Sequence, residues 1–279
     1  MTIYTSPQVR SGYGEETFWV WAEREFPAVD ISKASHPLLA DDTLLRYSTL
    51  GPLATKARTI ACCWELYPEM KVMLGGDAFD RVIDMTYRTA AACNRRTVAS
   101  KFSVPYYEHC GRVDVLPIGV DTDLFREYSP EEKILCRQKH RLPLNAEIGL
   151  WVGTTHKMKG FARMQEYANT HPDIFWIVVF YGLDPGDFRG RGVQFNFVQQ
   201  PVLPELMNCS DFQLSASMLR PFFIVEYEGM ACNLPQRNIS GLEKEWDGSV
   251  NPRQQILQNH WDRKTARLDW LRYINTTGA

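Results

Sequence analysis

Short apolar runs alternate with amphipathic stretches along the whole chain, and the alternation occurs twice, once on each side of a polar segment. Strands spaced in this way by helices bury themselves in a parallel sheet covered on both faces. In the first half, residues 2–6, 58–64, 96–102 and 112–117 read as strands, and 15–26, 77–94 and 104–110 as helices. Phe18, Trp21, Ala22 and Phe26 share one face of the first of these helices. In the second half, strands are expected at 148–152, 174–181, 193–198 and 212–215, with helices at 161–170 and 203–208. The stretch from 251 to 273, rich in Gln, Arg and Trp, reads as one or two terminal helices. The polar segment ending in Leu142-Pro143-Leu144-Asn145 is read as the junction, dividing the chain into domains 1–142 and 143–279. The expected fold class is α/β, two Rossmann-like doubly wound domains facing a central cleft.

Bulk properties narrow the function classes. At 279 residues there is enough chain for two ordinary cores. A net charge of −2 supplies no overall field towards nucleic acid or an anionic membrane. The seven cysteines, Cys62, Cys63, Cys93, Cys110, Cys136, Cys209 and Cys232, form no C-x-x-C pair and mostly stand in apolar surroundings, so reduced, buried thiols are expected. No apolar run is long enough to span a bilayer, and the first residues lack a signal-peptide pattern. A cytoplasmic protein is expected, in a host cytoplasm if it is viral.

The segment from Arg220 to Pro235 carries the most chemical information. It places a positive charge, Phe222, Phe223 and then Glu228 around the start of a helix-like run. A turn opening into a helix leaves backbone N–H groups unpaired, and the peptide dipoles favour negative charge there, which suits a diphosphate. The same pattern also fits a core helix face with solvated charges.

This segment resembles the donor-binding motif of retaining glycosyltransferases of family 4, which have the two-Rossmann-domain GT-B fold. Glu228 fits the second Glu of that motif, and Gly229-Met230-Ala231-Cys232 and Pro235 fit its small-residue and Pro positions. Arg220 stands where the family has its first Glu, and Pro221-Phe222-Phe223 replaces Gly-Phe-Gly. Three further stretches resemble the same family in the same chain order. Val115 to Phe125 is similar to the Pro-Asn-Gly-Val-Asp signature, with Ile118 in place of Asn. Leu150 to Gly160 is similar to the Val-Gly-Arg and Lys-Gly strand and loop, with Thr154 for Arg and Lys159-Gly160 kept. In the first half, Ser11-Gly12-Tyr13-Gly14 resembles the glycine-rich loop, and Trp64-Glu65 stands where the family has His-Asp.

The resemblance implies transfer of a sugar, with retention and without a metal, from a nucleotide-diphospho sugar to an acceptor hydroxyl. The nucleotide sugar is a co-substrate, and no cofactor is implied. Lys159, Arg220 and Glu65 are the catalytic candidates. Lys159 and Arg220 would offset charge on the leaving diphosphate, and Glu65 would position or deprotonate the acceptor hydroxyl. Gly12, Gly14, Thr154, Lys159, Val198, Phe222, Phe223, Ile224 and Glu228 are the donor-binding candidates, with Glu228 accepting from the ribose hydroxyls. Plainer readings stand beside each: an exposed surface lysine at 159, a dipole-facing acid at 228, a turn cap at 65, a core ring at Trp64.

Two alternatives stay open. A compact chain of this family fits a phage-type DNA-modifying glycosyltransferase acting on a hydroxymethylated base, with Arg95, Arg96, Arg253, Arg263, Lys264, Arg267 and Arg272 tracking phosphates. A nucleotide-binding relic without turnover fits the departures at 154, 220 and 223 and the polar Gln236-Arg237-Asn238. Asp121-Thr122-Asp123 has the form of a metal-binding carboxylate pair but is already accounted for by the domain-exit signature. His156, His109 and the cysteines lack the spacing of a zinc site, so no metal is expected.

Overall fold

The computed structural model describes residues 2–5, 26, 28–35, 37–47, 52–64, 66–181, 186–220, 223–246 and 251–276. Two compact units emerge, Met1–Ile118 with Lys264–Ala279, and Gly119–Arg263. The expected junction at 142/143 therefore lies too late, and the terminal helix belongs with the first unit. The polar segment belongs to the second because Val120, Phe125, Cys136 and Leu142 pack in one core with Ile148 and Leu150.

The first unit holds a six-stranded, all-parallel sheet. Its strands are β1 (Ile3–Thr5), β2 (Val29–Asp30), β3 (Thr43–Tyr47), β4 (Arg58–Cys62), β5 (Arg95–Val98) and β6 (Val113–Val115), in the order β2-β1-β3-β4-β5-β6. Strands β2 and β3 were not expected from the sequence. The first has two residues, and the second carries a buried Arg46 that interrupts its apolar pattern. Helices α1 (Tyr67–Leu74), α2 (Asp80–Ala92) and α3 (Val104–Tyr107) connect β4, β5 and β6. Ala61, Cys63, Ala90, Cys93, Val98 and Tyr107 form a core between sheet and helices.

The second unit holds a five-stranded parallel sheet: β7 (Ile148–Gly153), β8 (Phe175–Phe180), β9 (Gly192–Asn196), β10 (Phe212–Ser215) and β11 (Gln236–Asn238), in the order β11-β10-β7-β8-β9. Both faces are covered, and the period of two is plain. Ile148, Leu150, Val152, Ile177 and Val179 enter one core, while Trp151, Trp176, Val178 and Phe180 enter the other. The helices are α4 (Pro130–Lys139), α5 (Phe161–Thr170), α6 (Leu203–Cys209), α7 (Ile224–Ala231) and α8 (Pro252–Gln258). A capping box of Ser129 and Glu132 starts α4.

Helix α9 (Arg263–Asn275) returns the chain to the first unit. Its buried Ala266, Trp270, Tyr273 and Ile274 recur at helical spacing, and the Trp270 Nε1 donates to the Pro117 carbonyl at 3.2 Å. All seven cysteines are free. Among the described residues, no helix is long and apolar enough to cross a membrane.

Candidate functional site

The strand order of the second sheet reverses between β7 and β10, since the chain builds outward from β7 through β8 and β9 before returning to place β10 on its other side. In open parallel sheets, a crevice forms beyond the C-terminal ends of the strands at such a point. The loops leaving β7 and β10 are joined there. Met218 N donates to the Met158 carbonyl at 2.8 Å, and the Ser217 hydroxyl donates to the same carbonyl at 3.1 Å. Gly160, with φ of 70°, lets the loops meet: a Cβ there would lie 2.0 Å from the Ala216 carbonyl oxygen.

A 3-10 turn, Lys157–Lys159, ends on Gly160 and presents Lys159. The Lys159 amine stands 3.5 Å from the centroid of the Phe223 ring. Phe223 is the N-cap of α7, and its own side chain makes no capping hydrogen bond. Among the described residues, the Lys159 amine makes no hydrogen bond or ion pair. The side chain keeps part of its solvent exposure, yet the amine is desolvated enough that its pKa is pushed down to about 7; Glu226 nearby opposes the shift and Lys244 adds to it.

Beneath this pair lies a buried polar cluster. The Ser215 hydroxyl donates to Glu226 at 2.5 Å, Trp246 Nε1 donates to its other oxygen at 3.2 Å, and the Lys244 amine lies 3.7 Å away while donating to the Leu219 carbonyl at 3.0 Å. Lys244 is also 5.8 Å from the Phe223 ring centroid. Sequence reading missed Lys244 and Glu226, because a lysine and an acid eighteen residues apart carry no pattern until the fold brings them together.

Glu228 is buried on α7 and, among the described residues, its carboxyl has no hydrogen-bond or ion-pair partner. Burial pushes its pKa up to about 8. Tyr181, at the end of β8, is close enough to feel that charge and donates its hydroxyl to the Val198 carbonyl at 3.2 Å. Phe197 meets Tyr181 edge-on at 5.5 Å, is 64% exposed and holds a φ of 80°. A bulky residue with positive φ is a signal that only coordinates reveal.

The remaining candidates are placed as follows. Thr154 is half-buried on the loop after β7, where its hydroxyl accepts from His156 N at 3.4 Å, and Ile224 packs against the core. The Val198 side chain is buried in that core, so only its backbone faces Tyr181. Arg220 is exposed on the loop after β10, and Lys244 is the second cation near Phe223. Gly12, Gly14, Glu65 and Phe222 lie outside the described residues. Trp64 meets the buried Trp270 edge-on at 5.8 Å, the contact of a core ring.

Several charges offered for other roles are engaged within the protein. Asp121 accepts from Asp123 N and Leu124 N, both at 3.1 Å, and pairs with Arg263 at 2.7 Å. Arg253 donates to the carbonyls of Phe125, Ala231 and Thr122. Arg96 is buried and donates to the Ala90 and Cys93 carbonyls, and Arg95 lies over the Tyr273 ring at 3.3 Å. A buried Arg96 cannot track phosphates.

No protein-family model matches the chain, and no curated protein matches it. Solved structures do. Anabaena HepE in complex with UDP is similar with a TM-score of 0.74 and 14% identity over 99% of this chain and 100% of that one; it has also been solved with UDP-glucose. Sucrose-phosphate synthase from Thermosynechococcus elongatus gives 0.60 and 17% identity over 96% of this chain and 76% of that one. The α,α-trehalose 6-phosphate synthase from Burkholderia multivorans gives 0.56 and 11% identity over 85% and 70%. The chain has the fold these proteins share, two parallel-sheet α/β domains of the GT-B type.

Proposed function

We propose that the chain is a glycosyltransferase whose second unit binds a nucleotide-diphospho sugar where the β7 and β10 loops meet. The observation that carries the reading is the Lys159 amine, desolvated and without an anionic partner in contact, beside the N-terminus of α7. A positive point charge next to a helix N-terminus complements an anionic group such as a pyrophosphate. The unpartnered Glu228 supplies acceptor oxygens for ribose hydroxyls, in keeping with the resemblance of its segment to the family 4 donor motif. Uridine is the nucleobase to test first, since HepE was solved with UDP and UDP-glucose. Tyr181, near Glu228, and Phe197 packed edge-on against it supply aromatic surface for a base.

In this reading the protein itself offsets the charge that grows on the departing diphosphate. Lys159 and the N–H groups of α7 act from fixed positions, without a reacting metal ion. Arg220, exposed on the adjoining loop, adds positive charge from the solvent side. Retention of the anomeric configuration follows from the family 4 likeness, and Glu65 keeps its assigned part towards the acceptor. A glycan or small-molecule hydroxyl is favoured over a base in DNA, because Arg95, Arg96, Arg253 and Arg263 are engaged internally.

A thermal-shift panel of uridine, guanosine, adenosine and cytidine diphosphates and their sugars tests binding, because a ligand that prefers the folded state raises the melting point. Release of nucleoside diphosphate from the preferred donor then tests turnover. Binding without release would favour the relic; no shift with any member would reject the site.

A further inference from the structure

A buried ion pair stands beside the start of α7. The Lys244 and Glu226 side chains are 2% and 8% exposed, and the Lys244 amine is 3.7 Å from Glu226 Oε1. Glu226 lies in the first turn of α7, where its N–H donates to the Phe223 carbonyl at 2.9 Å. Its carboxylate also accepts from Ser215 on β10 and from Trp246. Lys244 arrives from the segment after β11 and donates to the Leu219 carbonyl on the loop after β10. Such a pair returns little net stability, because the cost of desolvating both charges offsets most of their attraction. Its larger effect is on the neighbouring cation. Both amines approach one ring, Lys159 at 3.5 Å and Lys244 at 5.8 Å from the Phe223 centroid, and Glu226 is near enough to act on the Lys159 charge. Two lysines thus share one acid, and Lys244 holds it.

We propose that Lys244 is a positioning residue for Lys159: by occupying Glu226 it denies Lys159 an internal counter-ion and leaves that amine to an anionic ligand. The role rests on the reading of this site as one for a diphosphate. Lys244 itself is too deeply buried to reach a ligand, so it acts through Lys159. Without it, Glu226 would be a buried anion lacking its cation, and the Lys159 amine beside the same ring would take the vacant place. The other charged groups on the surrounding segments do not compete for this part. His156 and Lys157 on the Lys159 turn, Arg220 after β10 and Glu243 after β11 are exposed, Glu245 accepts from the Tyr227 hydroxyl at 2.9 Å, and Glu228 lies buried further along α7.

The test follows the titration of the Lys159 amine in the ligand-free full chain, by competitive labelling with acetic anhydride across pH and peptide mass mapping, alongside UDP affinity by calorimetry. Lys244→Met should raise the Lys159 midpoint by about one pH unit or more, as the amine turns to Glu226. The same variant should weaken UDP binding by about tenfold at about pH 6, the loss of one charge-assisted hydrogen bond. Lys244→Gln, which keeps an N–H for the Leu219 carbonyl, should do the same and decides the matter where the Met variant does not fold. Glu226→Gln should move the midpoint down, since two cations then face each other uncompensated. Combining Lys244→Met with Glu226→Gln should return the midpoint to within about half a unit of wild type and restore UDP affinity. A pair that only braces the fold would lower the melting point and UDP affinity in both single variants with the midpoint unmoved, and that result would overturn the proposal. Unchanged UDP affinity in a folded Lys244 variant would overturn it too. Opposite midpoint shifts in a chain that binds no nucleoside diphosphate would uphold the hold of Lys244 on Glu226 and reject the diphosphate site, whereas UDP binding with unmoved midpoints would keep the site and reject the role of Lys244.

Discussion

The Lys159 amine sits 3.5 Å from the centre of the Phe223 ring, over the residue that caps α7. The ring face offers a partial negative charge, worth about 0.5–2 kcal/mol to a cation, but it replaces little of the hydration that the amine has lost. The pKa near 7 records the shortfall. Lys159→Met keeps the stem and removes the charge, so it should stabilise the ligand-free protein at pH 7 by about 1–3 kcal/mol, well short of the full pKa shift because the side chain keeps some solvent contact. It should also abolish the melting-point rise produced by UDP. A variant that melts lower and still responds to UDP would assign Lys159 a structural role.

The same amine sets a pH dependence. Its folded value, about 7, lies below the ordinary 10.5, so between these values the unfolded chain binds more protons and the Lys159 contribution to stability rises with pH. Binding of a diphosphate requires the charged amine. Affinity should therefore fall as pH rises above about 7, by up to tenfold per unit, with uptake of a proton on binding. Calorimetry in buffers of different ionisation enthalpy measures that proton. Lys159→Arg, charged throughout, should flatten the pH profile; an equally steep profile in that variant would move the titration to another group.

Sequence patterns reached as far as local chemistry allowed. Strands β7 and β8 are legible because burial on both faces makes them unbroken apolar runs, whereas Lys159-Gly160 stands out only through its likeness to the family Lys-Gly loop. Strand β11, Gln236–Asn238, has a polar sequence and owes its place to pairing with β10. The junction was placed too late because 119–142 is polar on the surface while Phe125, Cys136 and Leu142 are anchored in the second core. Lys244 and Glu226 become a cluster only through contacts between distant segments.

Gly160 offers a purely geometric test. A methyl group there meets the Ala216 carbonyl oxygen at 2.0 Å, against backbone that cannot step aside cheaply, and φ of 70° adds strain for any L side chain. Gly160→Ala should cost about 2–4 kcal/mol and part the β7 and β10 loops, lowering the melting point and weakening UDP binding together. Gly241→Ala, at a positive φ of 73° with nothing within 4 Å of the new methyl, is the control for backbone strain alone. Equal losses in the two variants would show that the approach to Ala216 does not matter.

Glu228 separates ribose recognition from a merely buried acid. Its folded value, about 8, lies above the ordinary 4.5, so its contribution to stability is complete below 4.5 and is lost as pH rises through 8. Glu228→Gln mimics the neutral acid and should remove that loss, leaving the protein at least as stable as wild type at pH 8. If the carboxylate accepts from the ribose hydroxyls, UDP affinity measured at pH about 9, where Glu228 is ionised, should fall by about tenfold to a hundredfold in this variant, the range for a hydrogen bond to a charged group. The wild-type protein should then bind UDP more tightly than its 2′,3′-dideoxy analogue, and Glu228→Gln should bind the two alike. Loss of UDP affinity with the preference for ribose intact would place the ribose contact on another side chain.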